Sequence, residues 1–92
     1  MPLLIVTYDL KADQTDRKPF FDAIKNNSKN WWHYLKNTWL VSTYMDADTF
    51  AHKLYPFFTT DDRVLVMEVK GTGQGWLPKD AWEWIISHQT ID

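Results

Sequence analysis

The stretch that decides the fold is WWHYLKNTWLV, residues 31–41. It contains two strand-like runs, rich in aromatic and apolar residues, separated by Lys36 and Asn37. Two such runs around a short polar break predict a β-hairpin. Asn37 tolerates a positive φ, but Lys36 is less suited to one. The turn is therefore expected to be longer than two residues or to carry a β-bulge.

Strand-like segments also lie on either side of this hairpin. Residues 3–10 (LLIVTYDL) begin with a continuous apolar run, which predicts a central strand that is buried on both faces. Residues 63–70 are dense in Val, Leu and Met and predict a further strand. Polar loops or turns are expected at 11–15 and at 59–62.

Three helices are expected between and after these strands. Asp16 is a plausible N-cap for the first, which runs to about Asn26 and keeps an apolar face. Asp46 is expected to cap the second, and Pro56 to tighten or end it. Pro78 suits the first position of the last helix. That helix is expected to place Trp82, Ile85 and Ile86 on one side.

The predicted order is strand, helix, strand, strand, helix, strand and one more helix. This order is the split βαβ arrangement, so we expect an α+β, ferredoxin-like βαββαβ domain with an antiparallel sheet. Both main helices should lie on one face, and the extra C-terminal helix follows the last strand. The other face must be exposed to water, covered by the last helix or covered by a partner. A chain of this length predicts a single domain over residues 1–92.

Composition excludes several classes of protein. The chain lacks cysteine, so a disulfide framework and thiolate chemistry are ruled out. The net charge is −2 and no run of like charge exceeds two residues, which disfavours non-specific binding to duplex DNA. Lys11, Arg17, Lys18 and Lys36 are the candidates for a local basic patch in the folded chain. The start of the chain reads as neither a signal peptide nor a membrane span, so a cytoplasmic protein is expected.

Four segments together resemble a known family: VTYDL (6–10), the hairpin, DDRVLVMEVKG (61–71) and GWLPKDAWEWI (75–85). They resemble the SinR-like family of small bacterial and phage proteins. That family is similar to the small CRISPR-adaptation protein, the second CRISPR-associated protein, and to the VapD toxins. The resemblance implies a ferredoxin-like fold, a homodimer and a role related to phage or defence. For the nuclease relatives it also implies a metal-dependent site at an Asp that ends the first strand.

The position that matches this Asp is Asp9. Two Asp9 carboxylates facing each other across a dimer axis would offer oxygen ligands to Mg²⁺. The alternative is that Asp9 caps the loop after the strand through nearby N–H groups, an ordinary role for Asp. A single carboxylate at a strand end favours the second interpretation. The chain also departs from the CRISPR relatives, because it is acidic overall and ends in a Trp-rich helix.

All six tryptophans lie in the hairpin or in residues 76–84. The hairpin aromatic residues form a candidate platform for stacking bases. These are Trp31, Trp32, His33, Tyr34 and Trp39. Strand alternation predicts Trp31, His33 and Leu35 on one face and Trp32 and Tyr34 on the other, so at most half of the set meets one ligand. The alternative is that one half is core and the other half forms a dimer interface.

The last segment offers two further candidate sites. Gly71, Gly73 and Gly75 precede a helix N-terminus and form the best phosphate-binding candidate, although a plain connection is the simpler interpretation. The interface candidates are Trp76, Trp82 and Trp84. Residues two apart do not share a helix face, so either Trp82 or Trp84 should be core and the other a docking residue.

The sequence therefore favours a small homodimeric binding module without catalytic activity. Its ligand would be a protein, a nucleotide or a short single-stranded nucleic acid, with no membrane partner. The alternatives are a Mg²⁺-dependent endonuclease with paired Asp9 residues, or a component of a toxin–antitoxin pair. No cofactor is expected apart from Mg²⁺ under the nuclease alternative.

Overall fold

The structure is a computed structural model of the chain, and it describes residues 1–11 and 16–90. Its elements are β1 (Leu3–Asp9), α1 (Lys18–Asn26), β2 (Asn30–Leu35), β3 (Thr38–Ser42), α2 (Ala47–Leu54), β4 (Arg63–Glu68) and α3 (Lys79–His88). The predicted order of elements is confirmed. The loop expected at 11–15 lies outside the described residues except for Lys11.

The four strands form one antiparallel sheet in the order β2-β3-β1-β4. This order is compatible with a ferredoxin-like fold, as the sequence predicted. β1 occupies a central position between β3 and β4. It is only partly buried on both faces, however, because Ile5 and Thr7 remain half-buried and Asp9 is exposed.

Local sequence explains where the two main helices begin. The Asp46 carboxylate accepts the Thr49 N–H at 2.8 Å and caps α2, as predicted. The start of α1 differs by one residue from the prediction, because Arg17 occupies the N-cap position. Asp16 instead accepts the Lys18 N–H at 3.0 Å from just outside the helix.

The core lies between the sheet and the helices α1 and α2. We call this side of the sheet the closed face. Its buried residues are Leu4, Val6, Tyr8, Phe20, Ala23, Ile24, Trp39, Val41, Phe50 and Leu54. The Trp39 Nε1–H donates to the Tyr8 hydroxyl oxygen at 2.9 Å, so the polar atoms of two buried aromatic residues satisfy each other. Burial raises the pKa of Tyr8, although this hydrogen bond acts in the opposite direction.

The opposite side of the sheet is covered at one end by residues 71–90, which we call the C-terminal layer. The buried Trp32 Nε1–H donates to the Ala81 carbonyl at 3.2 Å and joins the sheet to α3. The Gly71 N–H donates to the Thr90 carbonyl at 2.6 Å, so the two ends of the layer meet. No helix within the described residues is both long and apolar enough to cross a membrane.

Two details of the prediction need correction. Ile86 is 63% exposed, because α3 turns Ala81 toward the sheet instead. The hairpin carries a register shift between Trp32 and Leu35, and Leu35 is paired with Thr38. This extra residue reverses the alternation, so Leu35 shares the face of Trp32 rather than that of Trp31.

Candidate interaction surfaces

The C-terminal layer leaves part of the sheet uncovered, and we call this part the open face. It consists of Ile5, Thr7, Leu35, Thr38, Leu65 and Met67, which the strand register places side by side. Leu65 is 51% exposed and Met67 is 53% exposed. Exposed apolar residues scattered singly are normal, whereas these residues are neighbours on one face.

The open face is uncharged in its centre and charged at one end. The Thr7 and Thr38 hydroxyl groups lie 3.1 Å apart and hydrogen-bond to each other, which leaves their methyl groups to add apolar surface. Asp9 and Arg63 are paired in register at the end of β1 and β4. The face therefore combines an apolar centre with one acidic and one basic group at its rim.

Asp9 is exposed and borders a shallow cavity of about 330 Å³ between β1 and β4. Within the described residues, no group of three or more His, Asp and Glu side chains is placed to hold a metal ion. A pair of Asp9 carboxylates would need a second copy of the chain. That arrangement stays a prediction.

The carboxylate that binds the N–H groups near the loop after β1 is Asp62, which the sequence analysis missed. Its side chain is buried and accepts the Lys11 N–H at 2.8 Å and the Thr59 N–H at 2.9 Å. Arg17 donates to it from Nη1 at 2.8 Å and from Nη2 at 3.1 Å. The sequence DDR at 61–63 gave no sign of which of its two carboxylates is buried.

These contacts determine the charge state of Asp62. Burial alone would raise the pKa of its carboxyl group. The hydrogen bonds from Arg17, Thr59 and Lys11, together with the charge of Arg17, more than offset burial and hold the pKa well below its usual range. Asp62 therefore stays ionised and ties both ends of the loop after β1 to the turn before β4.

The structure divides the five aromatic residues of the hairpin among three environments. Trp32 and Trp39 are buried, at 3% and 1% exposure. Trp31 and His33 lie on the helix side of β2 and flank Trp39, with ring centroids 5.3 Å and 3.9 Å from it. Tyr34 is 47% exposed and lies next to Trp32 on the other side. The five rings do not form one continuous platform.

Two lysine side chains near β2 lie over exposed aromatic residues, one on β2 and one after β3. The Lys25 Nζ lies 4.9 Å from the ring centroid of Trp31, which is itself 43% exposed. The Lys29 Nζ lies 5.6 Å from the ring centroid of Tyr44. Both distances are within the range of cation–π attraction. We use the name β2 edge for β2 together with Lys25, Lys29 and the aromatic residues over which these lysines lie.

The glycine-rich start of the C-terminal layer is open rather than closely packed. A Cβ added at Gly71 or Gly73 would meet no atom within 4 Å, although Gly71 has a φ of +89° that favours glycine. At Gly75 an added Cβ would lie 3.9 Å from the Trp82 side chain. Gly71 and Gly73 line a cavity of about 190 Å³ between the layer and the sheet. Phosphate binding by this segment stays a prediction.

The three tryptophans of the C-terminal layer have different surroundings. Trp82 is half-buried and lines a cavity of about 190 Å³ between the layer and the sheet. Trp84 is also half-buried and stacks on His88 with ring centroids 4.0 Å apart. Trp76 is 98% exposed. Leu77 next to it lines the cavity, so the extended chain turns Leu77 inward and Trp76 outward.

Comparison of the chain with protein-family models, with curated proteins and with solved structures found no match. The resemblance to the SinR-like family therefore rests on the sequence segments alone.

Proposed function

We propose that the chain is a non-catalytic binding module that acts as a homodimer, joined through the open face. The observation that carries this proposal is the exposure of Leu65 and Met67 on β4, beside the uncharged Ile5 and Thr7 of β1. Removing apolar surface from water stabilises a complex by roughly 25 cal/mol per Å² before the costs of association are subtracted. Covering the open face would supply this stabilisation.

A second copy of the chain suits the open face for two reasons. In a two-fold symmetric contact the same patch meets itself, so an apolar centre meets an apolar centre. Because Asp9 and Arg63 lie side by side, the carboxylate of one copy can face the guanidinium group of the other. Trp76 projects from the C-terminal layer on the same side of the sheet and offers an aromatic anchor.

The mass of the purified protein tests this proposal. One chain weighs 11.0 kDa, so light scattering at micromolar concentration should give a particle of about twice that mass. Met67→Lys places a charge within the apolar part of the open face and should give a monomer. Tyr55→Lys is the control, because Tyr55 is 69% exposed but follows α2 on the helix side, and this variant should remain a dimer. A monomeric wild type would refute the proposal.

A second candidate function, Mg²⁺-dependent cleavage of nucleic acid, is favoured by the place of Asp9 at the rim of the same face. A dimer joined there would bring two Asp9 carboxylates near each other. Cleavage of RNA or DNA by the wild type with Mg²⁺, lost in a folded Asp9→Asn variant, would support it. Absence of cleavage by the wild type would leave the non-catalytic proposal. A toxin–antitoxin role and a cytoplasmic location are proposed from the sequence alone.

A further inference from the structure

We infer that the β2 edge is a second docking site, which takes an extended acidic segment of a partner protein by strand addition. This inference depends on the proposed function of a binding module, because it names what the module binds. It does not depend on dimer formation, because the β2 edge shares only Leu35 with the open face and lies at the other end of the strand order from Leu65 and Met67 on β4.

The geometry of β2 is that of a strand with one free edge. In the described sheet β2 comes first in the order β2-β3-β1-β4 and pairs with β3 alone. A terminal strand presents unpaired backbone N–H and C=O groups, which are a template for another extended chain. Exposed side chains stand on both sides of this strand, with Trp31 and His33 on the helix side and Tyr34 and Leu35 on the other. An added strand would therefore find side-chain contacts on each of its faces.

The charge of the β2 edge identifies the chemistry of its partner. Residues 23–45 contain Lys25, Lys29 and Lys36 but no Asp or Glu. The remaining residues hold seven of the ten Lys and Arg against all twelve Asp and Glu. This stretch is thus basic on a chain whose net charge is −2. The acidic residues Asp80 and Glu83 belong to α3, which packs on β2 from the side of Trp32, whereas Lys25 lies over Trp31 on the helix side. Complementary charge directs the encounter and favours acidic partners over basic ones.

The same lysines disfavour a second copy of this chain at the β2 edge. Lys29 precedes the strand and Lys36 follows it. An antiparallel pair of β2 edges would bring Lys29 of one copy close to Lys36 of the other, and a parallel pair would align identical lysines. Like charges opposite each other destabilise strand pairing. The opposite edge of the sheet, β4, is less suited to an acidic segment, because the exposed Asp61 precedes it and Glu68 ends it.

The aromatic side chains on the helix side of β2 are held in place before any partner binds. His33 stacks on the buried Trp39 at an interplanar angle of 12°, and its Nε2–H donates to the Lys36 carbonyl at 3.0 Å. The Trp31 ring packs against the same Trp39 ring, and the Lys25 Nζ lies over the ring of Trp31. Side chains that are already ordered lose little conformational entropy on binding.

Fluorescence anisotropy with labelled peptides tests the inference. The probe is a peptide of alternating glutamate and valine, and its matched control alternates lysine and valine. We expect binding of the acidic peptide alone, weakened by salt because the attraction is between exposed charges. The acidic peptide with N-methylated backbone amides should lose binding, because strand addition needs those N–H groups. No binding of the acidic peptide, or equal binding of all three, would overturn the inference.

Two variants and a titration followed by NMR locate the site. Lys25→Gln with Lys29→Gln should weaken binding about fivefold at low salt, whereas the control pair Lys53→Gln with Lys70→Gln should leave it unchanged. Amide shifts should change in residues 30–35 and not in residues 63–68. Shifts confined to β4, or binding of an oligothymidylate in place of the peptide, would overturn it. The monomeric Met67→Lys variant should bind the peptide like the wild type, so the two proposals fail independently.

Discussion

The two faces of one sheet differ in how completely they are covered, although neighbouring residues of the same strands build both. On β1, Val6 is fully buried on the closed face, whereas Thr7 next to it faces the open side and stays half-buried. On β4, Leu65 and Met67 of the open face are about half exposed, whereas Val66 between them packs against the core. Because side chains alternate between the two faces along a strand, neighbouring residues of similar type lie in different environments.

The difference separates stability from function. The closed face has its two helices, and its aromatic rings pack edge to face, as Tyr8 does on Phe20 at an angle of 87°. The open face has a similar apolar character but only a partial cover, the C-terminal layer. We therefore expect substitutions on the closed face to change the free energy of unfolding, and substitutions on the open face to change association.

The largest expected effect is the loss of a large core side chain. Phe50 is fully buried on the closed face, so Phe50→Ala should lower the free energy of unfolding by about 3–5 kcal/mol through lost burial and a cavity. Leu65→Ala should cost about 1 kcal/mol or less, because that side chain is half exposed. Urea unfolding in the monomeric Met67→Lys background measures both without a contribution from dissociation. Equal losses of unfolding free energy in the two variants would contradict the distinction between the faces.

The buried carboxylate that ties the loop after β1 to the turn before β4 should give the next largest effect. Asp62→Asn removes the carboxylate charge that pairs with Arg17 and should lower the free energy of unfolding by about 2 kcal/mol at neutral pH. The matched control is Asp61→Asn, an exposed neighbour that should have little effect. Thermal or urea unfolding measures the difference, and similar values for the two variants would contradict the role of Asp62.

The same residue predicts a pH dependence with a definite sign. Folding lowers the pKa of Asp62, so its contribution to stability is complete above the pKa of an unfolded Asp, about 4. The contribution is lost progressively as the pH falls from there toward the folded-state pKa. Asp62→Asn should therefore flatten the loss of stability below about pH 4. The measurement is urea unfolding between neutral and acidic pH. If the variant loses as much stability at acidic pH as the wild type does, this explanation is wrong.

A smaller effect is expected where the C-terminal layer meets the sheet. Trp32→Phe removes the N–H that the Ala81 carbonyl accepts and should cost about 1 kcal/mol. The loss should be local, so amide hydrogen exchange in α3 should accelerate more than exchange in β1. Trp31→Phe is the control, since Trp31 is 43% exposed and lies on the other side of β2. Uniform acceleration in both variants would show that α3 is not held by this bond.

Much of the fold could be predicted because its signals are local. Helical spacing, the Asp46 cap and the hairpin break each depend on a few neighbouring residues, and their order then limits the topology to few choices. The exposed state of Ile86 and the shift of Leu35 could not be predicted in this way. The first depends on how α3 rotates against the sheet, and the second on a bulge that no single residue specifies.

The candidate sites were harder to predict, because they depend on contacts between distant residues. Strand alternation predicted that the hairpin aromatic residues divide between two faces. It did not show that α3 buries Trp32 or that Trp39 lies under both Trp31 and His33. The ion pair of Arg17 and Asp62 joins residues 45 apart, and one sequence contains no sign of it. Burial of a carboxylate follows from tertiary packing.

The most direct test of the central claim uses the absence of cysteine from the chain. A single cysteine introduced at Leu65 or Met67 provides the only thiol, and a short bifunctional thiol reagent reports whether two copies of the open face meet. We predict efficient covalent dimers for either open-face variant at micromolar concentration, and none for Tyr55→Cys on the helix side. The absence of cross-links in both open-face variants would contradict a homodimer joined through that face. Equally efficient cross-linking of Tyr55→Cys would contradict it as well.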